Sequence, residues 1–213
     1  MTIGILGSGN VGGTLGTRWA RAGHHVIFGS RDPESGEMQS LAARATRPDG
    51  RPSRAGTFRE AGEAEVLLVA LPWMATRAVL ESFDGLIDKV LIDATNPLVP
   101  DLSGLEIGTS SSAAEHVAGW ALGAKVVKAF NTVGYNIMAD PAFGADRPVM
   151  LYCGDHADAK QIVRPLIADL GFDPVDAGPL RQARLLEPFA LLWISLAYQQ
   201  GLGREIGFKL LRR

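Results

Sequence analysis

Short apolar runs alternate with stretches of helical periodicity along the whole chain. The runs are rich in Val, Ile and Leu, and a continuous apolar run is typical of a parallel strand that is buried on both faces. Six runs are clear, at residues 2–6, 25–28, 66–71, 90–93, 125–130 and 149–153, and shorter strands are predicted at 54–56 and 174–176. Because strands and helices alternate, the pattern predicts an α/β protein with a doubly wound, mostly parallel sheet.

Helices are predicted between the strands. The first follows the 2–6 run, where Val11, Leu15 and Trp19 share one stripe. A Ser or Thr followed by Glu three residues later, the capping-box spacing, marks the start of two more helices at Thr57 and Ser112. Further helices are expected at about 37–47, 73–83 and 157–170, and the chain is predicted to be helical from residue 180 to its end, with a bend at 201–203.

A glycine motif, G-x-G-x-x-G, lies at the junction between the first strand and the first helix. Such a turn lets the backbone approach a pyrophosphate and aims the free N–H groups of the helix at it. The first glycine permits the tight turn, the second the close approach and the third the packing of the helix on the sheet. We therefore predict a Rossmann-like dinucleotide site, with a turn that binds nothing as the alternative, and the residues of the motif are Gly7, Ser8, Gly9, Asn10, Val11 and Gly12.

The end of the second strand indicates which dinucleotide is bound. An NAD site places Asp or Glu about twenty residues past the glycines, where it holds the ribose 2′-hydroxyl. Here Ser30 and Arg31 occupy that place, and a hydroxyl and a guanidinium are suited to a 2′-phosphate. The sequence therefore favours NADP over NAD. Two alternatives remain: Arg31 as a solvated loop arginine, and a shift of one residue that would bring Asp32 to the ribose.

The carboxyl ends of three further strands should surround the nicotinamide, because open α/β sheets bind ligands at that edge. We expect Leu71, Pro72, Asn96 and Asn131 to contact the cofactor, and the pocket for the hydride acceptor to be formed by Trp73, Asn96, Asn131 and Thr132. These strand ends offer no His, Cys, Lys, Glu or Asp, so no catalytic residue is assigned. Reduction of a carbonyl or imine normally needs a proton donor, whereas hydride transfer between two rings depends mainly on distance and orientation.

Composition limits the remaining possibilities. The formal net charge is −2 and no long basic stripe is present, so no nucleic-acid partner is expected. Cys153 is the single cysteine and ends an apolar run, which indicates a buried structural thiol and excludes an internal disulfide. No metal-ligand motif and no apolar stretch long enough to span a membrane are found. We expect a cytoplasmic protein without a metal or a membrane partner.

We expect two parts in the chain, an NADP-binding domain at 1–178 and a C-terminal helical extension at 179–213. The extension is apolar almost all round, with Phe189, Leu192 and Trp193 among its residues. A helix of this kind is buried, either on the sheet of its own chain or on a second subunit. The sequence leaves both arrangements open.

The chain resembles the NADPH-dependent reductases of coenzyme F420, a deazaflavin, and the related NADPH-binding domains of eukaryotic metalloreductases. The resemblance covers nearly the whole length and rests on GSGNVG at 7–12, GSRDP at 29–33, ALPW at 70–73, KAFN at 128–131 and DAGPLRQARLLEP at 176–188. It implies a Rossmann-like domain, usually dimeric, with NADP(H) held by residues matching Ser8 to Val11, Ser30 and Arg31. It also implies hydride transfer near Pro72, Trp73, Asn131 and Thr132.

The identity of the acceptor stays open at this point. Deazaflavin-dependent members often carry His where this chain has Asn131, and Asn131 is similar to the metalloreductase-type sequences, whose acceptor is a flavin. The leading hypothesis is thus an NADP(H)-dependent oxidoreductase, acting with F420 or with FMN or FAD. Reduction of a small carbonyl or imine, and a non-enzymatic NADPH-sensing module, are the alternatives.

Overall fold

Eight strands form one sheet in the computed structural model, which describes residues 1–213. They are β1 (Thr2–Leu6), β2 (His25–Ser30), β3 (Arg54–Thr57), β4 (Val66–Val69), β5 (Val90–Asp93), β6 (Lys125–Lys128), β7 (Val149–Gly154) and β8 (Asp173–Asp176). Their order across the sheet is β3-β2-β1-β4-β5-β6-β7-β8. Only the β6–β7 pair is antiparallel. The prediction of a doubly wound, mostly parallel sheet is confirmed, and the order reverses between β1 and β4.

Eight α-helices connect and cover the strands: α1 (Asn10–Arg21), α2 (Gly36–Arg44), α3 (Phe58–Gly62), α4 (Trp73–Leu80), α5 (Ala113–Trp120), α6 (Tyr135–Ala139), α7 (Ala157–Ala168) and α8 (Ala183–Ile194). The capping box that starts α3 is complete, because Thr57 and Glu60 exchange both bonds. At α5 the Ser112 hydroxyl accepts from the Glu115 N–H, and its own proton goes to the Glu115 carboxylate. Helix α6 was not predicted, because five residues are too few to show a helical period.

The two faces of the sheet carry separate apolar cores. Trp19 from α1 and Phe28 from β2 are fully buried on one face. On the other face, Val117 from α5 packs with Leu186 from α8. Helix α8 therefore covers the sheet of its own chain, while the division of the chain at residue 178 stays a prediction. None of the helices is long and apolar enough to cross a membrane.

The prediction of helix up to the C-terminus is wrong for the last part of the chain. Helix α8 continues in a π-helical turn, Ser195–Gln199, and then stops at Gly201 and Gly203, whose φ angles are +73° and +74°. Left-handed glycines end helices readily, because they have no Cβ to clash. Residues 204–213, here named the C-terminal strap, run back over the protein without regular structure. The strap is held by backbone acceptors: the Phe208 carbonyl accepts from the Val149 N–H at 2.8 Å.

Candidate cofactor and acceptor site

The glycine turn has the geometry that its motif predicts. Gly7 has a φ of +108°, which a residue with a Cβ rarely adopts. A Cβ on Gly12 would lie 1.8 Å from the Gly7 carbonyl oxygen, so Gly12 allows α1 to lie close to the turn. A Cβ on Gly9 would meet nothing within 4 Å. The space beside the Gly9 backbone is therefore free for a ligand.

No side chain of α1 or its N-cap neutralises the free N–H groups and the positive dipole end at the N-terminus of this helix. Gly9 is the N-cap, no side chain caps it, and no acidic residue stands in the first turn. The first intrahelical bond joins the Gly13 N–H to the Gly9 carbonyl at 2.8 Å. The N–H groups of Asn10, Val11 and Gly12 are thus without an intrahelical acceptor, and together with the helix dipole they suit a phosphate anion. This end of the helix fits the pyrophosphate of a dinucleotide.

A cavity of about 710 Å³ begins at this turn and runs along the carboxyl edge. It brings together nine of the residues that the sequence assigned to or near the cofactor: Gly7, Ser8, Gly9, Asn10, Val11, Ser30, Arg31, Leu71 and Pro72. Its other wall is apolar and was not predicted, formed by Phe58, Ala75, Ala78 and Val79. The apolar positions of α4 could have indicated this wall, but their spacing is equally typical of a helix that packs on the core.

The end of the cavity beside β2 is formed by Ser30 and Arg31. The Ser30 hydroxyl accepts from the Asp32 N–H at 3.1 Å, which fixes the turn. Arg31 is exposed and makes no ion pair or hydrogen bond within the chain. Asp32 does not line the cavity, and its carbonyl oxygen accepts from Ser35 at the start of α2. The cavity therefore presents a hydroxyl and a free guanidinium, which is the donor set of a 2′-phosphate site.

Two amides meet at the carboxyl ends of β5 and β6. Asn96 donates to the Asn131 carbonyl at 3.0 Å, and Asn131 Nδ2 donates to Asn96 Oδ1 at 3.1 Å. Asn131 Nδ2 also donates to the Leu186 carbonyl on α8 at 3.0 Å. Both protons of the Asn131 amide are engaged, while its Oδ1 is buried without a partner. The structure thus brings Asn96 and Asn131 together, as one bonded pair.

Phe130, directly before this pair, is held in an unusual backbone conformation. Its φ is +64°, which is rare for a bulky residue and costs on the order of 1–3 kcal/mol. The surrounding core supports it, because the ring meets Trp19 edge to face at 5.6 Å and the N–H donates to Met150 Sδ at 3.2 Å. The turn after β6 is therefore set by packing, and it fixes the direction in which Asn131 leaves the strand.

The other two acceptor-pocket candidates lie in different surroundings. Thr132 is buried, with its hydroxyl 4.0 Å from Met150 Sδ. Trp73 is half-buried at the start of α4, where its ring lies 5.2 Å from that of Trp120 on α5. The Arg77 guanidinium lies over the Trp120 ring at 5.9 Å. Of the four candidates, Asn96 and Asn131 form one group, Trp73 belongs to an aromatic cluster, and Thr132 faces the interior.

A buried ionic network lies directly beneath the amide pair and was missed by the sequence reasoning. Lys128 Nζ, at the end of β6, lies 2.9 Å from Asp93 Oδ2 at the end of β5 and 3.0 Å from Glu187 Oε1 on α8. All three side chains are at most 1% exposed. A charge at the end of each apolar run, VLID and KVVK, is the signal that could have found them. The missing partner was Glu187, which is distant in sequence.

The network is tied to the backbone on every side. Asp93 Oδ1 accepts from the N–H and the hydroxyl of Thr95 at 2.9 and 2.7 Å. Glu187 accepts from the N–H groups of Ala113 and Ala114, so that it caps α5. Burial alone would lower the pKa of Lys128, but the two carboxylates outweigh it and leave that pKa above its usual value. Burial raises the pKa of Glu187, and the nearby ammonium of Lys128 offsets only part of this rise.

Three other titratable or metal-binding possibilities suggested by the sequence have clear positions in the structure. Cys153 is fully buried, as predicted, and burial raises the pKa of its thiol to about 12. His24 pairs with Asp169 at 3.1 Å and directly precedes β2, so it lies at the amino edge of the sheet, opposite the site. No group of three or more His, Cys, Asp or Glu side chains is placed to hold a metal ion. The amide pair itself is hydrogen-bonded to no titratable side chain. Of the imidazoles, His116 is exposed and belongs to the aromatic cluster of Trp73, with its ring 5.7 Å from that of Trp120.

Known proteins resemble this chain over most of its length. Residues 2–97 match the family model described as NADP oxidoreductase, coenzyme F420-dependent. The F420-dependent NADP reductase of Methanothermobacter marburgensis is 34% identical over 207 residues, which cover 92% of each chain. A crystal structure from Arthrobacter sp. FB24, of a protein assigned as an F420-dependent NADP reductase, has a TM-score of 0.86 at 30% identity and covers 100% of both chains.

A second group of relatives is longer than this chain. Metalloreductase STEAP3 of Rattus norvegicus is 33% identical over 194 residues, which are 89% of this chain and 36% of that protein. The chain thus spans about a third of the metalloreductase, and only that part can be compared. The match to the Methanothermobacter reductase, by contrast, extends over nearly all of both proteins. With its Rossmann-like fold and the cavity at its glycine turn, the chain belongs to the F420-dependent NADP reductase family and is an NADP(H)-dependent oxidoreductase.

Proposed function

We propose that this protein transfers a hydride between NADP(H) and a ring acceptor, coenzyme F420 or a flavin. The observation that carries the proposal is the chemistry of the carboxyl edge, which offers amides and an indole but keeps Asp93, Lys128 and Glu187 fully buried. Transfer between two rings needs no proton donor from the protein at the acceptor atom. The printed names of the Methanothermobacter and Arthrobacter relatives add support for F420.

The cofactor would contact three sets of residues, and all of them except Asn96, Asn131 and Gly12 line the cavity. The turn from Ser8 to Val11 would hold the pyrophosphate at the N-terminus of α1, with Gly7 and Gly12 shaping the turn. Ser30 and Arg31 would hold the 2′-phosphate. The nicotinamide would lie near Leu71, Pro72 and the pair Asn96–Asn131. When bound, NADPH supplies the hydride.

The residues of the chain would then orient the two rings and exclude water from between them. The amide pair is fixed by three hydrogen bonds and by the left-handed turn at Phe130, so its geometry is set before any ligand arrives. Trp73, half-buried at the start of α4, offers an apolar surface at the same edge of the sheet. A rigid amide pair and an indole at one edge of the sheet suit a planar acceptor whose protons come from solvent.

Stopped-flow absorbance with NADPH tests the proposal directly. Oxidation of NADPH at 340 nm is followed with F420, FMN and FAD, each in turn, and with a panel of small carbonyls and imines. Turnover with one of the ring acceptors and not with the panel is the expected result. Turnover confined to the panel would replace the proposal by the carbonyl or imine reductase alternative. Tight NADPH binding with no turnover of any acceptor would favour the sensing module.

A further inference from the structure

We propose that Lys128 is a positioning residue of this site, which fixes the Asn96–Asn131 pair through the turn after β5 and through α8. The inference rests on the proposed function for its effect on turnover, and its geometry is independent of the acceptor. Lys128 has no route to the acceptor or the cofactor, because its side chain is 0% exposed. Its effect must therefore pass through the groups that it binds.

The first connection runs through the turn that carries Asn96. Lys128 Nζ binds Asp93 Oδ2 at 2.9 Å and also donates to the Thr95 carbonyl. Asp93 in turn accepts from the N–H and hydroxyl of Thr95. Thr95 is thus held from both sides of its backbone, and Asn96 is the next residue. The ammonium closes this turn from the neighbouring strand.

The second connection runs through α8. Glu187 Oε1 lies 3.0 Å from Lys128 Nζ, and the residue before it, Leu186, supplies the carbonyl that accepts from Asn131 Nδ2. The same carboxylate caps α5, and Arg184 one turn earlier binds Glu115 with two nitrogens, at 2.8 and 2.6 Å. One ammonium therefore links β5, β6 and α8 directly beneath the amide pair.

Stability alone gives no reason for this network. Buried ion pairs are often replaced by neutral or apolar residues without loss of stability, although removal of one member leaves an uncompensated charge. Lys128 carries one positive charge and meets two carboxylates, which makes it a poor device for stabilising a core. Lys128 is well suited to fixing the relative positions of its partners. An ammonium has three donors, and here they bind Asp93, Glu187 and the Thr95 carbonyl.

The test separates positioning from stability with two variants of the full-length chain. Lys128→Met alone leaves two carboxylates unpaired, and we expect it to unfold at lower temperature or fail to fold. The triple variant K128M/D93N/E187Q keeps similar side-chain shapes and removes all three charges. We expect it to fold and to melt between Lys128→Met and the wild type, because the amide introduced by E187Q can accept from only one of the Ala113 and Ala114 N–H groups. For the triple variant we expect kcat to fall at least tenfold, with the dissociation constant for NADPH, measured by fluorescence, changed less than threefold.

A readout without turnover keeps this test independent of the proposed function. The side-chain amide protons of Asn131 are bonded to Asn96 and Leu186, so in the wild type they should exchange slowly and give two separate NMR signals. In the triple variant we expect faster exchange, whatever the acceptor is. A folded triple variant with wild-type kcat and wild-type exchange at Asn131 would overturn the positioning role. Absence of turnover in the wild type, with the exchange change intact, would overturn only the proposed function.

Discussion

The guanidinium of Arg31 is free of partners within the chain and lines the cavity beside the end of β2, where we expect the adenosine of the cofactor. Removal of a charge-assisted hydrogen bond costs about 1.5–3 kcal/mol, so Arg31→Ala should weaken NADPH binding by about 10- to 150-fold and leave NADH nearly unchanged. Fluorescence titration with both dinucleotides measures the difference. Arg51→Ala is the matched control, since Arg51 is exposed and lies outside the cavity. Equal weakening of NADPH and NADH by Arg31→Ala would refute our placement of the adenosine end.

Gly9 and Gly12 should respond in opposite ways to added bulk. A Cβ on Gly9 meets nothing within 4 Å, so Gly9→Val should fold with an unchanged melting temperature and lose dinucleotide binding. A Cβ on Gly12 would lie 1.8 Å from a backbone oxygen, so Gly12→Ala should destabilise the fold by about 1–3 kcal/mol. Thermal unfolding and NADPH titration of both variants distinguish the two roles. Retained binding in Gly9→Val would contradict the assignment of the turn.

Burial of Cys153 should appear in the pH dependence of stability. The unfolded thiol has a pKa of about 8.5, whereas burial raises the pKa of Cys153 to about 12, so the folded state holds this proton more tightly. Stability should therefore fall from about pH 9 upwards, by at most about 1.4 kcal/mol per pH unit for this one proton. Urea unfolding at pH 8 and pH 10 should show a smaller fall for Cys153→Ala than for the wild type. Parallel falls would show that the thiol is not responsible.

At the scale of elements, the C-terminal strap stabilises the fold through contacts that no sequence pattern predicts. Its Phe208 ring lies 4.4 Å from the Phe189 ring, and the Ile206 carbonyl accepts from Trp193 Nε1 at 2.9 Å. Truncation after Gly203 removes these contacts and should cost about 3 kcal/mol, which lowers the melting temperature by about 6–12 °C. Removal of residues 211–213 alone is the control, because Leu211 is 78% exposed. An equal effect of both truncations would show that the strap is not bound as described.

Elements with a strong local signal were predictable, and those that depend on tertiary contacts were not. The run at 66–69 and the capping box at Thr57 carry their structure in a few adjacent residues. The strap has no such signal, because its bonds go to α6, α8 and β7, and a helix was expected in its place. The site shows the same division. The glycine turn and Arg31 could be located from spacing, whereas the Lys128 network needs Glu187, which only the packing of α8 brings to the strand ends.

For the whole molecule, the homodimer expected from the family resemblance remains a prediction, and the surface of α8 is where we expect the contact. Leu185 and Leu192, seven residues apart on one face of α8, are 66% and 49% exposed. Apolar residues repeated on one helix face mark a surface that a partner covers. Leu192→Asp should therefore shift the mass measured by light scattering from dimer to monomer. Leu122→Asp, at a leucine after α5 that is 68% exposed, should leave the mass unchanged. A monomeric wild type, or a dimer that survives Leu192→Asp, would show that the face of α8 with Leu185 and Leu192 is not the dimer contact.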